Sequence, residues 1–541
     1  MKLNYPKTLK VGTAFAIVMV FWTAYDYVVP LLLENAFGLS NTMRGLIMGL
    51  DNLLSLFMLP WFGKLSDRCN SKYGRRTPFI VLGTVATVIL MVFVPVSAQK
   101  QLNAAKDLRA QIVTTSAENY TYTDHKGTVY GSAEALYTML YESRNSDYCD
   151  HNYLAINGVD SLEDYLRIAA DPQSEDYSKF VEAGINSFAS NEINEKLTKA
   201  NPTSLIVYMV ILFFVLVAMA TFRSPAVALM PDVTPKPLRS QANAMINLAG
   251  GAGGAVAFII YTVTLLLDST GYIAIFAAVA ASMLLLLVAY LLLVNEKKLV
   301  RECHDLCAEY GIDENEDAIP EKSDHIELSP AEKKARMTSF ILILASIFMW
   351  FMGYNAVSSN LSIYITKTLN LSAGLGGVIS GVSMGISAIA FIPVGYLAVK
   401  IGRRKSIMLG FALAVVAFAL IFFFASNYSA AVIYLFTVFY LIAGFGLITA
   451  NVNTFPMVVE LSSEGNVGKY TGLYYTATMS AQAITPFIAG LVMDALGSKY
   501  LFLYSTICVI LAIVLMVFVR HGDSKMAPPK SKLELIGAGD D

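Results

Sequence analysis

Charge is scarce in this chain. Only 15% of its 541 residues are Asp, Glu, Lys or Arg, while 55% are apolar, a balance that excludes an ordinary soluble globule. Histidine is rarer still, and none of the five falls within an apolar run, which argues against a histidine proton relay. The five cysteines are Cys69, Cys149, Cys303, Cys307 and Cys508. Only Cys149 falls in a segment assigned below to the outside, so no disulfide framework is expected. Cys303, His304 and Cys307 lack a second ligand pair at zinc-like spacing, and neither metal nor cofactor is expected. No Walker-type phosphate loop occurs, which argues against a primary pump, and no nucleophile and base constellation suggests an enzyme. With 39 basic and 41 acidic residues, the net charge of -2 suggests no nucleic-acid partner.

What the chain has instead is long apolar runs. About 20 residues of helix span ~30 Å of hydrocarbon, and on that ruler twelve segments qualify. The first six lie near 11–36, 43–62, 77–97, 204–223, 241–267 and 272–294. The second six lie near 339–364, 373–399, 405–425, 430–450, 471–496 and 499–520. The first run, Val11 to Leu33, has no convincing small-residue cleavage site and reads as a retained helix.

Basic residues sort by side. With the amino terminus inside, the inner segments hold 27 Lys and Arg, against Arg44, Lys367 and Lys499 in the short outer ones. That split places both termini in the cytoplasm and leaves no Lys or Arg deep in the membrane. Residues 98–203 form an outer insert with sixteen acids against nine basic residues, exempt from the rule by its length. Its first stretch, Ala98 to Asn119, has helical character, and a small, partly ordered cap is expected. A sequon at Asn119 matters only in a glycosylating pathway. The organisation is therefore helices 1–3 in 1–97, the insert, helices 4–6 in 204–294, a charged cytoplasmic linker in 295–338, helices 7–12 in 339–520 and a tail in 521–541.

The two halves repeat. GKLSDRCNSKYGRRTPFI (Gly63 to Ile80) joins helices 2 and 3, and GYLAVKIGRRKS (Gly395 to Ser406) joins helices 8 and 9. Tyr25 and Asp26 of helix 1 precede the first loop by nearly the distance at which Tyr354 and Asn355 of helix 7 precede the second. Helices 4 and 10 end in RSPAVALMPDVTPKPLR and TFPMVVELSSEGNVGK, each with a proline, an acid and then a basic residue. Two related sets of six imply a cavity between bundles with a site near mid-membrane.

These loops resemble the cytoplasmic signature of the major facilitator superfamily, and the resemblance extends over all twelve helices. SDRCNSKYGRRTPFI and RSPAVALMPDVTPKPLRSQAN resemble in particular the sucrose/proton symporters within the glycoside-pentoside-hexuronide cation symporter group. The resemblance implies an all-α fold of two pseudo-symmetric six-helix bundles. It further implies proton-coupled symport of a glycoside, a disaccharide such as sucrose or maltose, by a monomeric carrier in the cell membrane. Melibiose-type members carry sodium-binding acids four and eight residues before the motif glycine, where this chain has Leu59 and Ser55. Protons are therefore favoured over sodium.

Two acids lie well inside apolar spans, Asp26 in helix 1 and Asp51 in helix 2, at similar depths from the outer side. A carboxylate at that depth costs at least ~2.5 kcal/mol, which is why membrane acids usually serve ion or substrate paths. Two carboxyls close together do not both stay ionised, so one can carry a proton. For Asp51 a capping or interhelical role is the competing reading. Sugar hydroxyls call for acids or amides, and apolar pyranose faces for aromatic rings. Tyr25, Asp26, Asn243, Asn247, Tyr354, Asn355, Asn360, Tyr474 and Gln482 are the candidates, although such residues also join membrane helices. The glycines at 250, 251, 253 and 254 read as sites of close packing or bending rather than phosphate binding.

The inner charges suggest a gate. Asp67, Arg75, Arg76, Arg403, Arg404, Asp232 and Glu460 can pair across the inner surface when the carrier faces outward, with topology-setting as the plainer role for the basic members. Arg223, at the expected inner end of helix 4, belongs to gate or cavity. Two other functions stay open: efflux of an amphipathic compound, or a transporter-derived sensor whose insert or linker binds a protein.

Overall fold

Hydrocarbon offers backbone N–H and C=O groups no water, so the apolar runs satisfy them internally as helices. The computed structural model describes residues 3–118, 121–143, 148–149, 151–235, 238–310, 330–369, 371–382, 401–425, 432–461 and 467–521. The first six membrane helices are α1 (Thr13–Phe37), α2 (Asn41–Asp67), α3 (Thr77–Glu118), α4 (Thr203–Asp232), α5 (Arg239–Leu267) and α6 (Tyr272–Leu293). The second six are α7 (Pro330–Lys367), α8 (Ala373–Val382), α9 (Arg403–Ala425), α10 (Val432–Glu460), α11 (Val467–Leu496) and α12 (Leu501–Val517). Among the described residues eleven helices are long and apolar enough to cross a membrane, and the shorter α8 takes the eighth place.

Several helices outrun their apolar stretches. α4 continues to Asp232 and α10 to Glu460, about two and a half turns past the expected ends. α4 carries Pro225 and Pro231 without ending at either, as membrane helices allow when neighbours satisfy the freed backbone. α3, at 42 residues, is about 63 Å long and projects well beyond a ~30 Å hydrocarbon layer.

The projecting part of α3 carries a cap built from a hairpin, β1 (Tyr122–Thr123) with β2 (Val129–Tyr130), and short helices including Ala133–Glu142 and Glu182–Ile193. Its own core gathers Leu136, Tyr165, Ile185 and Phe188, and the fully buried Glu192 is held by the Tyr122 hydroxyl (2.6 Å) and His125 (2.5 Å). The cap is fastened to the turn after α1. Asn194 donates to the Gly38 carbonyl (3.1 Å) and Thr198 to the Phe37 carbonyl (2.8 Å). Gly38 sits at φ +59, and a β-carbon there would lie 2.1 Å from the Ser190 carbonyl oxygen. Glycine is thus required both for the left-handed end of α1 and for the docking of the cap.

The two bundles meet towards this cap end. A β-carbon at Gly45 of α2 would lie 1.9 Å from the Pro486 carbonyl oxygen of α11, and one at Gly49 2.4 Å from that of Ala483. Likewise Gly377 and Gly381 of α8 abut Thr262 and Phe258 of α5. Small residues that let backbones touch are the usual device of membrane interfaces, where dispersion rather than water expulsion drives packing. Gly250 and Gly253 of α5 pack in the same way on Phe15 and Ala16 of α1.

At the opposite, linker end the loop between α2 and α3 is tied within its own bundle. Arg76 reaches Asp67 (2.6 Å), Asp232 (2.7 Å) and the Ser66 hydroxyl (2.5 Å). The carboxylate of Glu296, from the helix Glu296–Glu309, accepts from the backbone N–H groups of Arg75, Arg76 and Thr77 and so caps α3.

Candidate functional site

α1 runs through the middle of the protein, buried on nearly every face, and its central turns carry Trp22, Tyr25 and Asp26. Asp26 is nonetheless exposed, and it lies within electrostatic reach of Asp51 and Arg223 in its own bundle and of Tyr354 in the second. Asp51, on α2, is buried and accepts from the Asn52 side chain at 3.0 Å. Arg223 of α4 lies over the Trp22 ring at 5.0 Å and within electrostatic reach of Asp51 and Asp26. The two acids also feel one another. Two carboxylates and one guanidinium thus share a site in which a proton or a polar ligand can change the local balance of charge.

Arg223 is the main departure from the sequence reading. It stands nine residues before the end of α4, so a basic residue does lie deep in the protein. The ring of Trp22 and the attraction of two acids offset part of the cost of keeping its charge there. Its neighbours are Trp22, Asp26 and Asp51 rather than the charge cluster of Asp67, Arg76 and Asp232. A second buried basic residue, Arg44, is 2% exposed and paired with Glu34, an acid of α1 that sequence reasoning did not single out.

Aromatic rings surround the charges. Tyr25 packs edge-on against Trp22 (5.3 Å) and stacks with Phe21 (5.7 Å). The Trp22 indole N–H and the Tyr25 hydroxyl are buried donors with no protein partner among the described residues, as is the Asn247 amide nitrogen of α5. From the second bundle, Tyr354 of α7 comes within electrostatic reach of Asp26 and stacks on Trp350. Tyr261 of α5 also feels Asp26, stacks on Tyr27 at 4.6 Å and neighbours Tyr440 of α10. Tyr208, Tyr261 and Tyr440 were not among the sequence candidates. Each sits in an apolar run with no charged neighbour to mark it, so nothing local in the sequence signalled a role.

The remaining candidates are less central. Asn355 donates to the Phe351 carbonyl (2.8 Å) and the buried Asn360 to that of Ala356 (3.0 Å), both along α7. Tyr474 lies 3.4 Å from the Thr454 hydroxyl and 5.1 Å, ring to ring, from Phe455, within its own bundle. Gln482 is half-buried on α11. Of the gate residues, Arg75 and Arg76 meet Asp232, and Asp67 meets Arg76, all inside the first bundle. Arg404 donates to the carbonyls of Met516 and Val517 of the second bundle, with the half-buried Arg403 beside it. The side chains of Asn243 and Glu460, and the loop residues 395–400, lie outside the described residues.

The family model described as Major Facilitator Superfamily matches residues 197–458 and 343–538, which together cover more than half of the chain. The chain belongs to the major facilitator superfamily. It is accordingly a multi-pass membrane transporter of twelve helices and not an enzyme. A further superfamily model, described as MFS/sugar transport protein, matches residues 11–106, the stretch that holds Asp26, Asp51 and the first signature loop. Over a short stretch the chain is similar to sucrose transport protein SUC4 of Arabidopsis thaliana, 48% identical over 52 residues. It is also similar to human proton-associated sugar transporter A, 35% identical over 63 residues. These alignments span 10% and 12% of this chain and only 10% and 8% of the relatives. Among solved structures the superfamily fold recurs in a bacterial homologue of the lysosomal transporter Spinster, with TM-score 0.55, 12% identity, and 96% and 97% of the two chains covered. The xylose transporter XylE from E. coli aligns with TM-score 0.54 and 13% identity over 98% and 99% of the chains. At such identities the likeness concerns the fold.

Proposed function

We propose that this chain is a secondary active sugar transporter that moves a glycoside, a disaccharide such as sucrose or maltose, together with a proton by alternating access. The observation that carries the reading is the exposed Asp26, beside Asp51 and Arg223 and ringed by tyrosines. With one carboxyl protonated the charge of Arg223 balances the remaining carboxylate, and with both ionised the site carries one extra negative charge that water at the exposed Asp26 can solvate, so the two proton loads differ by a charge the open site tolerates. The unpartnered donors of Trp22, Tyr25 and Asn247 suit sugar hydroxyls, and the rings of Tyr261, Tyr354 and Tyr440 suit the apolar pyranose faces. The matches to a sugar-transport model and to plant and human sugar transporters support the substrate class.

In this reading the carrier sits in the cell membrane as a monomer, with the cap outside and both termini in the cytoplasm, an orientation that the sorting of basic residues supports. Leu59 and Ser55 in place of sodium-binding acids favour protons over sodium. Arg75, Arg76, Asp67, Asp232, Arg403, Arg404 and Glu460 serve as the inner gate when the cap end opens.

Uptake by proteoliposomes decides the matter. An imposed gradient of one pH unit sustains up to about tenfold accumulation for one proton per sugar, since each unit is worth about 1.36 kcal/mol. Asp26→Asn should carry out sugar exchange without accumulation. Accumulation that ignores the gradient, or persists in Asp26→Asn, would overturn the coupling.

A further inference from the structure

At the cap end the closed interface between the bundles is fastened by charges that none of the transport-site residues touches. Lys367, at the end of α7, reaches Glu34 of α1 at 2.7 Å. Asp494 of α11 accepts from the backbone N–H of Asn41 (2.9 Å), the Asn41 amide (2.7 Å) and the backbone N–H of Thr42 (2.8 Å), so one bundle supplies the anion for the first turn of α2 in the other. A carboxylate at a helix amino terminus meets both unsatisfied N–H groups and the positive end of the helix dipole.

We propose that Glu34, Lys367 and Asp494 form a latch that holds the cap end shut, and that opening towards that side consists of parting these groups. The inference rests on the alternating-access reading above. Arg44 holds Glu34 from within the first bundle and also reaches Asn41 and, at 3.1 Å, the Leu39 carbonyl. The cap grips the same turn through the carbonyls of Phe37 and Gly38. Turn, cap and first bundle therefore move as one body, and among the described residues the latch groups supply the charged contacts across the boundary, beside the Tyr27 hydroxyl's bond to the Ala373 carbonyl and the close packing at Gly45, Gly49, Gly377 and Gly381. Water rehydrates ionic groups when they part, whereas the closed, dry interface strengthens their attraction, so the two states stay close in energy and the latch reopens each cycle.

The test uses the full chain with its five cysteines replaced and spin labels at the exposed Ser269 and at Ser498, one on each bundle at the cap end. Distances from double electron–electron resonance report the open and closed populations in liposomes without any substrate. Lys367→Met and Asp494→Asn should each raise the ratio of open to closed at least tenfold. Glu34→Gln provides a third variant if either fails to fold. Lys199→Gln, which removes a pair with Glu195 on the cap surface (2.6 Å), should leave the ratio unchanged. An unchanged ratio in the latch variants, or an equal shift in Lys199→Gln, would overturn the latch. Because no sugar is involved, a wrong substrate leaves this result intact, and a failed latch leaves the uptake experiment intact.

Discussion

Gly45 offers a steric test of the closed interface. A β-carbon at this position would lie 1.9 Å from the Pro486 carbonyl oxygen, 2.5 Å from its carbon and 3.0 Å from the Phe487 nitrogen. All three are backbone atoms of α11, so no rotamer change relieves the clash. Reaching even a tight contact of ~3.4 Å requires α2 and α11 to part by about 1.5 Å, which also lengthens the bonds from Asn41 and Thr42 to Asp494. Overpacking of this kind costs about 1–3 kcal/mol. The cost falls on the state closed at the cap end and is absent once the helices separate, so the conformational equilibrium should move by roughly 5- to 140-fold at about 1.4 kcal/mol per factor of ten. Gly45→Ala should therefore slow sugar uptake into proteoliposomes at least fivefold, while the purified protein stays folded and its cap end becomes more accessible to thiol reagents placed outside. Gly251→Ala is the matched control, because a β-carbon there meets nothing within 4 Å, and it should transport as the parent does. Wild-type transport by Gly45→Ala would refute the claim that close approach of α2 and α11 belongs to the cycle.

Arg223→Leu leaves Asp26 and Asp51 without the cation nearest both, and gradient-driven uptake should fall at least tenfold, with Arg223→Lys intermediate because it keeps the charge but not the guanidinium over Trp22. Arg76→Ala takes from Asp67, Asp232 and Ser66 the buried guanidinium they share and leaves Asp232 only Arg75 at 3.6 Å, a loss of about 2–3 kcal/mol to be read as a lower apparent melting temperature in detergent. Glu296→Ala uncaps α3 at a cost of about 1–2 kcal/mol, and faster hydrogen exchange over residues 75–80 should report it.

Twelve helices, their pairing into two sets of six and the family were all readable in advance. Hydropathy over ~20 residues is a local property that hydrocarbon imposes on each span separately, and the signature loops recur in plain text. Asp26 and Asp51 were legible for the same reason, since an acid in an apolar run stands out wherever the run ends up. The third member of that site was not. Arg223 fitted gate and cavity alike because the apolar run stops near it, and only the packing of α1 and α2 against α4 brings the ring and the acids beside its charge. Glu34, Arg44 and Lys367 likewise read as ordinary residues near helix ends, and nothing in their spacing links residues 34 and 367. Tyr261 and Tyr440 were hidden among the many tyrosines of the chain. Sequence by itself determined which segments enter the membrane, because that depends on each segment's own transfer energy. Which polar groups meet between the segments was decided only in three dimensions, because ion pairs and ring contacts depend on the rotation and depth at which separate helices pack.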